Sequence, residues 1–295
     1  MIAPDLRQQL LVEIEKIEKP SRRALSARFP FFKKSIIKTR QIIKKGKNIS
    51  SPQLKIKHAK TYHPCVLARH QSVLRRQLGD SDPRLQEAKI INLQQAIKKL
   101  DKLIIPAGQT FSYWHNLGRP SRQKGYVNGM LLANGRVTEG LGGGLCQLSN
   151  FLFWILMHCD TSVKERYHHS LDVFPDSGRS LPFGSGATVL YNFIDLQIKN
   201  TSGQDLQLKL WLSDKHLKGQ ILAKEKSKKR FRLLEKNHYF LKKNGLFYRY
   251  NEIWRREIEQ GIIKKEELLV KNLAPVLYVI KEDQLRATGQ KIIKL

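Results

Sequence analysis

A chain of 295 residues with 41% hydrophobic content has enough apolar material for two domains or one large one, which excludes a disordered protein. Its formal net charge of +29 is uneven: residues 1–100 and 216–295 carry excesses of +16 and +11, whereas residues 101–215 carry +2. That distribution argues against a uniform nucleic-acid coat; the basic flanks suit docking on an anionic partner, either a membrane leaflet, a polyanionic polymer or nucleic acid, and the middle is near neutral.

In chain order, Leu6, Leu10, Leu11, Ile14 and Ile17 recur at helical spacing over residues 5–19, and Pro20 closes the segment. Glu13, Glu15 and Glu18 interrupt any leader-like apolar run, so the sequence carries no signal-peptide pattern and no transmembrane helix. Residues 31–47 predict a basic amphipathic helix, with Phe32, Ile36 and Ile43 on one side, and residues 46–52 predict a loop. His58, His63 and His70 lack the paired spacing of metal ligands, so no metal and no cofactor is expected. Asp82-Pro83 starts a long helix through Leu100, marked by Leu85, Ala88, Ile91, Leu93, Ala96 and Ile97.

Short apolar runs separated by glycines then predict strands at Ile104-Ile105 and over residues 110–114, and a hairpin around Asn134-Gly135. After a core helix over residues 149–158, β-prone runs follow at residues 171–175, 187–191, 196–200 and 206–212. Residues 216–295 mix basic helical segments, such as 251–260, with short strands such as 274–280. The fold class is α+β, with basic N-terminal helices over residues 1–84, a core domain over 85–215 with a mixed β-sheet packed around the central helix, and a basic α/β region over 216–295.

The stretch that organises the chain runs E-G-L-G-G-G-L-C-Q-L-S-N from Glu139 to Asn150. Gly142, Gly143 and Gly144 permit a crowded turn, and Cys146 falls in the first turn of the helix that follows. Unpaired N–H groups and the positive dipole end gather there and favour a thiolate, making Cys146 a candidate nucleophile. Cys65, Cys146 and Cys159 are odd in number and widely spaced, which indicates neither a disulfide framework nor a zinc site, and suits a reducing cytoplasmic setting.

A cysteine nucleophile needs a base, and His168 and His169 follow Cys146 at a separation that lets the helix run away and a strand return. His169 is favoured because it adjoins Ser170 in the segment H-S-L-D-V; which histidine faces the thiol stays open. Asp172, Asn192 and Asp195 are candidates to orient it, and Arg166 is a candidate for a substrate carboxylate.

The ordered set Pro106 to Ser112, Gly125-Tyr126, Gly142 to Ser149, Glu165-Arg166, His169-Ser170, Ala187-Thr188-Val189 and Asp195-Leu196 resembles the VanW family over roughly residues 85 to 215. That resemblance implies a link to glycopeptide resistance and the cell envelope, and some secreted relatives are connected with L,D-transpeptidase cross-linking of peptidoglycan. It further implies Cys146 attacking an acyl carbon to form a thioester, His169 shuttling protons and N–H groups around Gly144 to Gln147 holding the oxyanion; with the residue-level candidates, the expected site is Cys146, His169 and Asp195 for catalysis and Gly143, Gly144, Gln147, Ser149, Arg166 and Ser170 around the substrate. The partner is then a peptide of peptidoglycan-precursor type. A non-catalytic accessory protein that uses the same turn and His-Ser segment as a ligand pocket is the alternative, and nucleic acid is the least favoured partner. Many relatives carry Asp where this chain has Gly186.

Overall fold

The computed structural model describes residues 3–19, 57–75, 82–133, 136–168, 171–173, 175 and 181–295. The basic helix expected over 31–47, the loop over 46–52, the Asn134-Gly135 turn, His169 and Ser170 lie outside the described residues.

Helix α1 (Pro4–Glu18) buries Leu10 and Ile14. Helix α2 (Pro83–Leu100) begins where the Asp82 carboxylate accepts from the Arg84 N–H, with Pro83 preset for the first turn. Its inward stripe is Leu93, Ala96 and Leu100, joined by polar Gln86, Lys89 and Asn92, while Ile91 is turned outward.

Strand β1 (Cys65–Val73) precedes α2, and β2 (Ile104–Ile105) and β3 (Thr110–Ser112) follow it. Tyr113 and Trp114 do not extend β3 as their β-propensity suggests; they enter helix α3 (Tyr113–Leu117), because Ser112 caps it by accepting from the His115 N–H. The expected hairpin is present as β4 (Asn128–Ala133) against β5 (Arg136–Leu141). Helix α4 (Leu145–Leu156) is apolar almost all round and forms the axis of the core, packing on β1 and on β9 (His216–Ala223). Phe151 lies so close over β9 that a Cβ on Gly219 would meet its ring at 2.9 Å.

Among the described residues the strands form four sheets. One has the order β1-β9-β8-β2, where β8 is Leu206–Leu212, so its strands come from both sides of the 85 and 215 limits read from the sequence. A second is β3-β7-β6, with β6 at Thr161–Glu165 and β7 at Gln197–Asn200. The third is the β4–β5 hairpin, and the fourth has the order β12-β11-β10-β13. Among the described residues the parallel pair is β10 (Lys229–Lys243) with β13 (Ile292–Lys294), and the other strand pairs are antiparallel.

The fourth sheet corrects the reading of residues 251–260. Residues 251–259 belong to β11 (Leu246–Glu259), central between β10 and β12 (Ile262–Pro275), Gln260 lies in the turn that follows, and none is helical. Glu and Arg are good helix formers, but Asn251, Ile253 and Arg255 alternate inward, and two long partner strands satisfy the backbone on both edges. Residues 276–280, expected as a strand, lie beyond the end of β12 and before helix α5 (Glu282–Ala287). The runs at 171–173 and 187–191 likewise form isolated bridges, Asp172 with Val276, Tyr167 with Thr188 and Leu190 with Ile194.

The fourth sheet is tied to the core by Arg255, whose guanidinium donates to the Thr161 carbonyl at 2.7 Å, and by His158, whose Nδ1 meets the Phe231 carbonyl at 3.0 Å. On its other side α1 covers Leu241, Tyr248 and Tyr250.

Candidate functional site

The glycine turn is built by close approach. Gly142 and Gly144 have φ of 77 and 95, a region L-residues avoid. Gly143 has an ordinary φ but presses on the β4 backbone: a Cβ there would lie 2.1 Å from the Gly129 carbonyl carbon. Asn92, fully buried, locks the contact, donating to the Gly143 carbonyl at 2.9 Å and the Val127 carbonyl at 3.0 Å while accepting from the Val127 N–H. The stem of buried Lys89 lies over Gly144, and its ammonium reaches the Leu74 carbonyl and the Gln86 side chain. These α2 partners were missed at the sequence level, although polar residues inside an apolar helical stripe are their signal.

Leu145 is the first residue of α4, so Cys146 does stand in the first turn. The Gly142 N–H donates to the Val127 carbonyl across the hairpin, turn bonds occupy the N–H groups of Gly143, Leu145 and Gln147, and those of Gly144 and Cys146 take part in none of these bonds. The Cys146 thiol donates to the Val189 carbonyl at 3.6 Å. A carbonyl only accepts, so this contact needs the proton on sulfur. Burial also pushes the Cys146 pKa up, opposite to the thiolate expected from the helix dipole: the dipole supplies a fraction of a charge, and desolvation of a full negative charge outweighs it.

The loop 184–189 lies along the same turn. Ser149 donates to the Ala187 carbonyl at 2.6 Å, and the Asn150 side-chain oxygen accepts from the Ala187 N–H at 2.6 Å. A Cβ on Gly186 would come within 2.6 Å of that oxygen, so a side chain at position 186 would have to displace the Asn150 amide. Arg166 holds the loop from the other side, donating to the Gly186 carbonyl at 2.8 Å and to the Gly184 carbonyl, with its guanidinium 4.6 Å over the Phe153 ring. Burial lowers its pKa to about 10, which still leaves it charged at neutral pH. Its planar fork is thus used on loop carbonyls.

The other sequence candidates have separate duties. Gln147 turns to β1, donating to the Ser72 hydroxyl at 3.0 Å and the Val73 carbonyl at 2.8 Å. Asp195 is buried and accepts from the Ser112 hydroxyl at 2.6 Å and from the backbone N–H groups of Trp114 at 3.0 Å and Leu196 at 2.9 Å. Burial raises its pKa, with these hydrogen bonds pulling the other way. The carboxylate therefore secures the start of α3. His168 follows the Tyr167–Thr188 bridge, which brings the 165–168 segment alongside the loop. Cys65, Cys146 and Cys159 are free thiols, and burial pushes Cys159 up to about 12.

Beside Val189 the surface changes character. Tyr167 and Leu190 stand 48% and 55% exposed, whereas the hydroxyls of Ser185 and Thr188 are buried without a hydrogen-bond partner among the described residues. Among the described residues no three His, Cys, Asp or Glu side chains gather as a metal-binding group, and no helix is long and apolar enough to cross a membrane.

A family model described as "VanW like protein" matches residues 88–222. The "Vancomycin B-type resistance protein VanW" of Enterococcus faecalis (strain ATCC 700802 / V583) is 30% identical over 199 residues, which are 67% of this chain and 72% of that protein. The "Uncharacterized protein YoaR" of Bacillus subtilis (strain 168) is 29% identical over 121 residues, 40% of this chain and 37% of that one. No solved structure matches.

Proposed function

Since this chain belongs to the VanW family, we propose that it serves vancomycin resistance, as its enterococcal relative is named for, by binding a peptide of peptidoglycan-precursor type at the edge of the 184–190 loop. The observation that carries this reading is the composition of that edge: two exposed apolar side chains, Tyr167 and Leu190, beside the hydroxyls of Ser185 and Thr188, which are unpartnered among the described residues. Each unpaired buried hydroxyl costs about 1–3 kcal/mol, which a polar ligand recovers when the loop opens to it. The protonated Cys146 beneath the loop is then a contact that fixes Val189, and the protein acts as an accessory binder.

Cysteine-dependent acyl transfer is the second reading, favoured by the place of Cys146 at the start of α4 next to the N–H groups of Gly144 and Cys146. In that reaction the sulfur gives up its proton to a base, attacks the acyl carbon to form a thioester and expels the amine. A second amine or water then takes the acyl group.

Calorimetric titration with a muramyl pentapeptide distinguishes the two. The binder reading expects Cys146→Ser to keep the affinity of the native chain, Leu190→Ser to weaken it about ten-fold, and intact mass to show no adduct. A thioester adduct on Cys146, lost in Cys146→Ser, replaces the first reading with the second, and absence of binding in every form refutes both.

A further inference from the structure

The β11–β12 hairpin turns through Gln260 and Gly261, both at positive φ. The chain leaves this turn through Ile262 and Ile263, 59% and 52% exposed, and continues with exposed Lys264 and Lys265. Adjacent strand residues point to opposite faces, so the two isoleucines leave bare apolar surface on both sides of the hairpin end. Turn tips are ordinarily polar, and this pair contributes to neither hydrophobic cluster of the described residues.

Cations surround that end. The register sets Glu259 opposite Ile262 on one side and Lys229 on the other, so the chain enters β10 beside the tip. The connection that leads there exposes Lys224, Lys226 and Lys228. Opposing them are Glu225 and Glu259; Lys265 shares Glu267, and Lys229 shares Asp160 and Glu257.

We propose that the β11–β12 tip docks on an anionic lipid bilayer, with Ile262 and Ile263 entering the interface and the neighbouring lysines meeting lipid headgroups. Charge complementarity selects this occupant. An anionic bilayer offers apolar depth and negative headgroups together, at the spacing of a tip with a basic collar. A second copy of the chain brings like charges together, and a nucleic acid gives the isoleucines nothing to enter. The tip belongs to the fourth sheet and Cys146 to helix α4, so this inference stands apart from the peptide reading.

The test is co-sedimentation of the full chain with phosphatidylcholine vesicles, with and without phosphatidylserine, beside the pairs Ile262→Ser/Ile263→Ser and Lys264→Gln/Lys265→Gln. The native chain is expected to sediment with the anionic vesicles only. The lysine pair should lower partitioning roughly five-fold per charge removed, and the isoleucine pair roughly ten-fold per side chain. Unchanged thermal melting shows that either loss is one of docking. In Ile262→Trp, brominated lipid should quench the new indole. Equal binding to neutral vesicles, binding that both pairs leave intact, or an unquenched indole overturns the proposal.

Discussion

Adding one methyl group at Gly143 tests the close approach on which the candidate site rests. The Cβ of Gly143→Ala lies 2.1 Å from the Gly129 carbonyl carbon, 2.3 Å from its oxygen and 2.5 Å from the Met130 nitrogen, all backbone atoms that no side-chain rotation removes. Turn and hairpin must separate by about 1 Å or more. That costs about 1–3 kcal/mol of overpacking strain and stretches the buried Asn92 bond to the Gly143 carbonyl, a further 1–3 kcal/mol or so. A total of about 4 kcal/mol is a large part of the roughly 5–15 kcal/mol that holds a domain together. Two other glycines separate sterics from backbone preference. Gly245→Ala has a positive φ but open space and should lose about 1–2 kcal/mol, whereas Gly203→Ala has neither problem and should lose almost nothing. Urea unfolding followed by tryptophan fluorescence measures all three. A Gly143→Ala chain within about 1 kcal/mol of the native one, or one no worse than Gly245→Ala, would refute the account of the turn.

Further outcomes follow from buried groups. In iodoacetamide labelling at neutral pH followed by peptide mapping, Cys146 is expected to react more slowly than a free thiol, and Cys159, pushed up to about 12, only on unfolding; fast labelling of folded Cys146 contradicts the neutral thiol. His70, packed against Phe151 and Trp154, is lowered by burial to about 4. It is neutral in the folded chain, whereas the unfolded chain takes up a proton below about 6.5, so its stabilising effect is full above 6.5 and is lost as pH falls from 6.5 to about 4. The loss, discounted for partial exposure, is about 2 kcal/mol; urea titrations across that range should show it, and His70→Gln should flatten the profile. The Asp172–Arg249 pair is 3.3 Å apart, with both side chains 2% exposed, so Asp172→Asn should cost about 3–5 kcal/mol by leaving a buried guanidinium undercompensated. A denaturation midpoint equal to that of the native chain would show that Arg249 does not depend on this carboxylate.

Local chemistry was enough to place several elements from sequence alone. Asp82-Pro83 marks the start of α2 because a cap and a fixed φ act within one turn. The alternation around Asn134-Gly135 marks the β4–β5 hairpin, and three glycines before an apolar run mark a turn that puts Cys146 in the first turn of α4. The uneven charge also needed no coordinates, since it is a sum over residues. Tertiary structure decided the rest, because each remaining question concerned partners far apart in the chain. Residues 251–259 form a strand because β10 and β12 lie on either side of them, although their own propensities favour a helix. Asp195 serves α3, and Arg166 serves the 184–186 carbonyls, because a side chain's hydrogen-bonding capacity goes to the donors and acceptors that folding brings within reach. The upward direction of the Cys146 pKa was decided the same way: the helix start is written in the sequence, but the desolvation that pushes the thiol up comes from packing.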